Sequence, residues 1–206
     1  IPGLFLKEQI AQSLDQLMMD NPSLIAQFPC VEIVVMDRPN ITVPQFYVDD
    51  GQLPEIASKY LRLRLGDTLA TDNSGTDTVF CFTLPTETLQ LLKEYYANFR
   101  ITHFSAVLWQ QLSERQSGID INKSALYLTC LKGVLIILAT RNGRLIFSKN
   151  ISVTGETDFI YYGIAISRML NLEEHWLISI QDEEVGFDLA FDSVLRIDKR
   201  LVLPNF

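Results

Sequence analysis

The chain has 206 residues, 48% of them hydrophobic and 20% charged, with a formal charge of −8. Such a chain can bury a good core, as one large domain or two small ones, and its composition is that of an ordinary soluble globular protein. The acidic balance argues against a nucleic-acid surface and against anionic membranes, and no apolar stretch reaches the roughly 18 residues of a membrane span.

The chain opens on Ile1-Pro2, without methionine and in mid-phrase, so an N-terminal piece is expected to be missing and no signal peptide can be looked for. Cys30, Cys81 and Cys130 are isolated and lie in or beside apolar runs. An odd number without CxxC spacing favours reduced, buried thiols and a cytoplasmic location.

Leu6 to Met19 reads as a helix with an apolar stripe through Ile10, Leu14, Leu17 and Met18, stopped by Asn21-Pro22. Val31 to Met36 is a strand and residues 37–40 a turn. Ile41 to Val43 and Phe46 to Val48 read as extended, with Pro44 marking an edge or bend. A helix is expected from about Pro54 to Leu63, with Ala57, Tyr60 and Leu61 facing inward. Asp67 to Asp77 reads as a loop. Val79 to Leu84 is a strand, and Thr86 starts a helix carrying Leu89, Leu92 and Tyr96. Ile101 to Phe104 is a short strand, and Ser105 caps the next helix. Ser117-Gly118 closes the first half, which divides the chain into domains 1–118 and 119–206.

Ser124 to Leu172 carries the clearest pattern. Ala125 to Leu131, Val134 to Ala139 and Leu145 to Ile151 are apolar runs separated by Lys132-Gly133 and Arg141-Asn142-Gly143-Arg144. Asn-Gly between such runs signals a type I′ hairpin, so the three form an antiparallel meander. The middle run lacks polar alternation and is expected to be buried on both faces. Thr154 then opens a helix, capping its free N–H groups, with Glu156 and Asp158 in the first turn. Phe159, Gly163, Ile166 and Leu170 share its inner face, Ile160 and Ile164 widen it, and it ends near Asn171. Trp176 to Ile180 is a strand and Asp182 to Glu184 an acidic loop. Phe187 to Leu195 fits strand or helix, and Leu201 to Leu203 a last strand.

Three meandering strands followed by a helix resemble the opening unit of each half of the actin/Hsp70/sugar-kinase fold. The stretch resembles the second half of the FtsA and PilM-like members. It is also similar to an uncharacterised Bacteroidetes family with an actin-like fold, which carries a phrase close to Thr157-Asp158-Phe159-Ile160-Tyr161-Tyr162 at its helix start. The wider pattern, including Val43-Pro44, covers most of the chain. The resemblance implies an α/β protein of two related halves, each a mixed sheet flanked by helices: an actin-like (ribonuclease H-like) duplicated fold. It also places an opening hairpin among the residues expected to be missing.

ATP-binding members carry Asp-x-Gly near the end of the first strand of this meander. The Asp positions metal and attacking water, and the Gly lets backbone approach phosphate. Counting back from Arg144 to Ser148 puts Thr129, Cys130 and Leu131 there. No carboxylate occurs between Ala125 and Thr140. The later Gly-Gly pair is absent too, its place taken by residues 178–183.

The cofactor-binding candidates are Asp49 and Gly51, which form an Asp-x-Gly better read as a turn and N-cap, and Gly155, whose neighbouring N–H groups face a helix start. Glu156 and Asp158 would repel an anion at Gly155. Glu173-Glu174-His175 lacks the two-His spacing of a zinc helix; with His103 it reads as surface or half-buried polar residues. The acidic cluster from Asp182 to Asp192 reads as a solvated edge. No serine elbow and no P-loop is present. Cys81 and Cys130 read as strand residues, not nucleophiles. No catalytic residue, metal or cofactor is therefore expected. The sequence points to a non-catalytic actin-like-fold protein that binds a protein partner or assembles with itself, its nucleotide motifs degenerate. The alternative is a divergent Mg-ATP-dependent ATPase or phosphotransferase, with an acid from the missing N-terminus and Asp49 or Glu32 holding Mg²⁺. A third reading is a small-ligand binder in an interdomain cleft.

Overall fold

A computed structural model describes residues 14–25, 28–36, 38–73, 78–114, 124–131, 133–172 and 176–180. In chain order the elements are α1 (14–20), β1 (Val31–Val35), β2 (Asn40–Pro44), α2 (Gln45–Asp49), α3 (Leu53–Tyr60), β3 (Asp67–Asp72), β4 (Thr78–Pro85), α4 (Thr86–Tyr95), β5 (Phe99–His103), α5 (Phe104–Glu114), β6 (Ala125–Leu131), β7 (Val134–Arg141), β8 (Arg144–Ser152), α6 (Glu156–Leu170) and β9 (Trp176–Ile180).

The meander forms as expected. Asn142 and Gly143 both take positive φ, 51° and 75°, as a type I′ turn requires. The sheet runs β8-β7-β6-β9, with β9 parallel to β6 and the other pairs antiparallel. Residues 135–139 of β7 are all buried, so both faces are covered. Leu126, Leu128, Leu135 and Ile137 pack with Phe159 and Ile166 of α6. Tyr127, Ile136 and Leu138 point the other way, onto Leu108, Trp109 and Leu112 of α5. In β8 the register shifts: Ala139 pairs with Phe147 but Thr140 with Leu145, leaving Ile146 as the extra residue of a bulge. Hence Leu145 packs on the α5 side while Phe147 packs on the α6 side.

A second sheet has the order β2-β4-β3, all antiparallel, and β1 and β5 form a parallel pair beside β3. Leu53, Ala57 and Leu61 of the α3 segment cover Val43, Val79 and Cys81 of the second sheet. Met18 of α1 packs with Leu92 and Tyr96 against the β1/β5 pair.

Several local expectations are corrected. Phe46–Val48 is helical, not extended: Pro44 turns the chain at the N-cap (φ −57°, ψ 139°), and Gln45 Nε2 donates to Asp49 Oδ1 at 2.8 Å. Asp67–Asp72 is a strand, not a loop. Its acids are engaged, since Asp67 Oδ2 accepts from the Arg64 N–H at 3.1 Å and Asp72 Oδ1 accepts from Arg100 at 3.0 Å. Tyr60 is 73% exposed rather than inward, and Cys30 is exposed while Cys81 and Cys130 are buried. Thr154 does not cap α6. The acid works in reverse: Asp158 Oδ2 accepts from the Thr154 hydroxyl at 2.7 Å and its N–H at 2.9 Å, which holds the carboxyl below its ordinary value. The helix of residues 156–170 ends at Asn171 in the left-handed region, close to expectation. The expected turn at 117–118, the Glu173-Glu174-His175 run, the acidic loop and everything after residue 180 lie outside the described residues.

Candidate functional site

β2 and β8 are edge strands of different sheets and lie side by side without joining into one ladder. Their seam has two faces. On the α5 side it is closed by a buried polar network. Asn40 Nδ2 donates to His103 Nδ1 at 2.9 Å, and the Ser105 N–H donates to the same nitrogen at 3.1 Å. Two donors on Nδ1 fix the tautomer, so Nε2–H donates to the Arg38 carbonyl at 3.0 Å. The Ser148 hydroxyl donates to Asn40 Oδ1 at 3.1 Å. The Ser105 hydroxyl donates to Asn150 Oδ1 at 2.9 Å, and Asn150 Nδ2 donates to the Met36 carbonyl at 2.6 Å. His103 and Ser105 are fully buried. Expected as a half-buried residue and as a helix cap, they instead tie α5 to both strands. Buried polar groups must be paired, and here each pairs across a sheet boundary.

On the opposite side the seam opens into a cleft of about 390 Å³ between α3 and β8. Ile41, Ile56 and Tyr60 form one wall, and Ile146, Phe147 and Lys149 the other. The bulge places Ile146 there, 38% exposed. A shallower depression of about 340 Å³, lined by Tyr47 and Lys59, adjoins it and shares Thr42, Ile56 and Tyr60. Lys59 is paired with Glu55 at 2.6 Å; the bond lowers the glutamate pKa and raises that of the lysine. Apolar walls with a few polar groups suit binding. Among the described residues no group of three or more His, Cys, Asp or Glu side chains could hold a metal.

The sequence candidates fall elsewhere. Asp49 ends α2 and accepts from Gln45, while Gly51 turns the chain into α3 with φ +72° and open space where a Cβ would stand. Gly155 is the N-cap of α6 with an extended backbone (φ 177°), and a Cβ there would meet nothing within 4 Å, so no close approach demands glycine. These residues are not brought together with one another in the cleft. Glu32, a candidate Mg²⁺ ligand, accepts from Thr102 at 2.8 Å and lies 3.9 Å from Arg100. Thr129 faces α5 in one row with Ile136 and Asn150, Cys130 is buried in the α6-side core, and Leu131 packs on the α5-side core. Burial pushes the Cys81 thiol up to about 12, which makes it inert. The seam residues themselves were missed. Their only local trace is polar residues, such as Ser148 and His103, in otherwise apolar runs.

No curated protein matches the chain. A solved Bacteroides thetaiotaomicron protein with an actin-like ATPase fold and unknown function is similar: TM-score 0.73, 17% identity, covering 82% of this chain and 66% of that one. The chain thus spans just under two thirds of that relative's length. Two further structures are more distant. The PilM–PilN type IV pilus biogenesis complex has a TM-score of 0.45 at 11% identity, covering 86% of this chain and 69% of that one. The cytoplasmic domain of EpsL, an inner-membrane component of the Vibrio cholerae type II secretion system, has a TM-score of 0.49 at 12% identity, covering 89% and 74%. The fold assignment rests on the Bacteroides structure. The model of the family described as "Protein of unknown function (DUF3822)" matches residues 4–179, and the chain belongs to that family, with an actin-like ATPase fold.

Proposed function

We propose that this chain is a non-catalytic actin-like-fold protein that acts as a protein-binding or assembly module. The observation that carries this reading is the end of β6. Where the resemblance expects Asp-x-Gly, Thr129 and Leu131 point into one packed core and Cys130 into the other. On that register no carboxylate stands there to orient metal and water, and Leu131 at the glycine position would obstruct a phosphate. Fold alone does not restore the chemistry.

The reading includes two related halves, 1–118 and 119–206. What supports them is a shared strand pattern. β4 and β7 are each the centre of an antiparallel triplet, β2-β4-β3 and β8-β7-β6, followed by a helix and a further strand. The halves differ in that β2 precedes its hairpin, whereas β8 follows from within its own. No helix among the described residues is long and apolar enough to cross a membrane. The expected cytoplasmic location belongs to the same proposal.

A thermal-shift titration with ATP and Mg²⁺ tests the reading. Ligand at a hundred times its dissociation constant adds about 2.7 kcal/mol, and each kcal/mol is worth roughly 2–4 °C for a chain of this size. The expected result is no shift at millimolar ATP. A dose-dependent, Mg²⁺-sensitive rise would overturn the reading in favour of a divergent ATPase or phosphotransferase.

A further inference from the structure

We propose that the groove running from Tyr47 across α3 to Lys149 binds an extended segment of a partner protein, one that carries an acidic side chain beside apolar anchors. The proposal rests on the binding-module reading above and names its site and the chemistry of its partner.

Three observations support it. The depression beside α3 and the cleft over the seam adjoin one another, sharing Thr42, Ile56 and Tyr60, and both are open to solvent. That shape suits a stretch of chain. Next, the trough keeps large aromatics in water. Tyr60 is 73% exposed and Tyr47 40%, and Phe46 stacks edge-on against Tyr47 at 5.6 Å. Such side chains contribute little to folding where they stand, yet they are the types that dominate binding hot spots. Finally, the charge is local and opposite to that of the molecule. The chain has 25 acidic against 17 basic side chains. At the seam end, however, Lys149 has no acidic partner among the described residues, and Arg62, next to the lining residue Leu61, is exposed. A carboxylate entering there meets the exposed ammonium of Lys149.

The same charge argues against a second copy as occupant. Two molecules of formal charge −8 repel as they approach. An acidic segment of a different protein pays that repulsion only in part, since it is short and can place its charge against Lys149.

A random linear peptide library selected on the whole 206-residue chain supplies the probe. The leading peptide is synthesised and titrated by fluorescence polarisation against wild type, Tyr60→Ala and Lys149→Glu. The expected result is enrichment of Asp or Glu next to aromatic or branched aliphatic residues. Binding should fall about ten-fold or more on each variant while its melting temperature stays put. Added salt should weaken wild-type binding more than binding to Lys149→Glu. The proposal is overturned if no sequence is enriched, if enriched peptides lack acids, or if they bind the variants as they bind wild type. Sedimentation separates the neighbouring possibility. Self-association abolished by Tyr60→Ala would put a second copy in the groove, which sinks the peptide proposal and leaves the assembly reading standing. Stabilisation by ATP with Mg²⁺ would sink that reading instead.

Discussion

The two faces of the β2–β8 seam are built from the same strands and carry opposite chemistry. On the α5 face, Asn40, His103, Ser105 and Ser148 are buried and Asn150 is half-buried, and they hydrogen-bond to one another and to the Arg38 and Met36 carbonyls. On the other face, Tyr60, Ile146 and Lys149 stand in water. Burial leaves a polar group no alternative to its partner, so the closed face fixes how the two sheets meet. The open face has no such obligation. Its side chains can change without disturbing the fold, which is the condition under which a surface is free to serve recognition.

That contrast can be broken by substitution. The largest effect belongs to His103→Ala, which strands the Asn40 amide and the Ser105 N–H and leaves a cavity; it should cost about 3 kcal/mol or more in urea unfolding. A loss below about 1 kcal/mol would mean water replaces the ring and the closed face is not closed. Ser148→Ala removes a single donor to Asn40 Oδ1 and should cost about 1–2 kcal/mol by the same measurement.

A helix start away from the seam supplies a control. Thr154 holds the Asp158 carboxyl below its ordinary value, so folding gains from this acid only when it is ionised. The stability gap between wild type and Asp158→Ala should be full above the ordinary aspartate value of 3.8 and should close as pH falls through the lower folded value. A gap independent of pH between neutrality and strong acid would refute the assignment. The smallest effects belong to the open face. Tyr60→Ala and Lys149→Glu should each change unfolding stability by no more than about 0.5 kcal/mol. A loss comparable to that of Ser148→Ala would erase the distinction between the faces.

Legibility in the sequence followed the range of the interactions. Asn142-Gly143 and the 159–170 face announce a turn and a helix through neighbours a few residues away, and both are where the pattern puts them. The 67–72 strand was hidden because its ends are acids, which read as loop until Arg100 is seen beside Asp72. Tyr60 sits at helical spacing from Ala57, three residues on, yet α3 stops at Tyr60 and the ring turns outward. The seam was illegible for a plainer reason. Its partners are 63 residues apart at Asn40 and His103, 108 at Asn40 and Ser148, and 114 at Met36 and Asn150. No window of sequence contains both halves of any of these pairs. Asp49 and Gly51 stand out by motif and Gly155 by its place at a helix start, but each has a local structural role that such signals do not separate from ligand binding.

The bulge at Ile146 has a consequence for how the chain can vary in length. Strand residues alternate between faces, so gaining or losing one residue ordinarily turns every later side chain inside out. Here Leu145 and Phe147, two apart, already face opposite cores, because Ile146 takes up the parity change. Deleting Ile146 would leave a regular hairpin with Leu145 opposite Thr140 and Phe147 opposite Ala139, as they are now. β8 therefore contains a position where a one-residue gap is silent to the core and felt only by the groove, whose wall would lose one side chain.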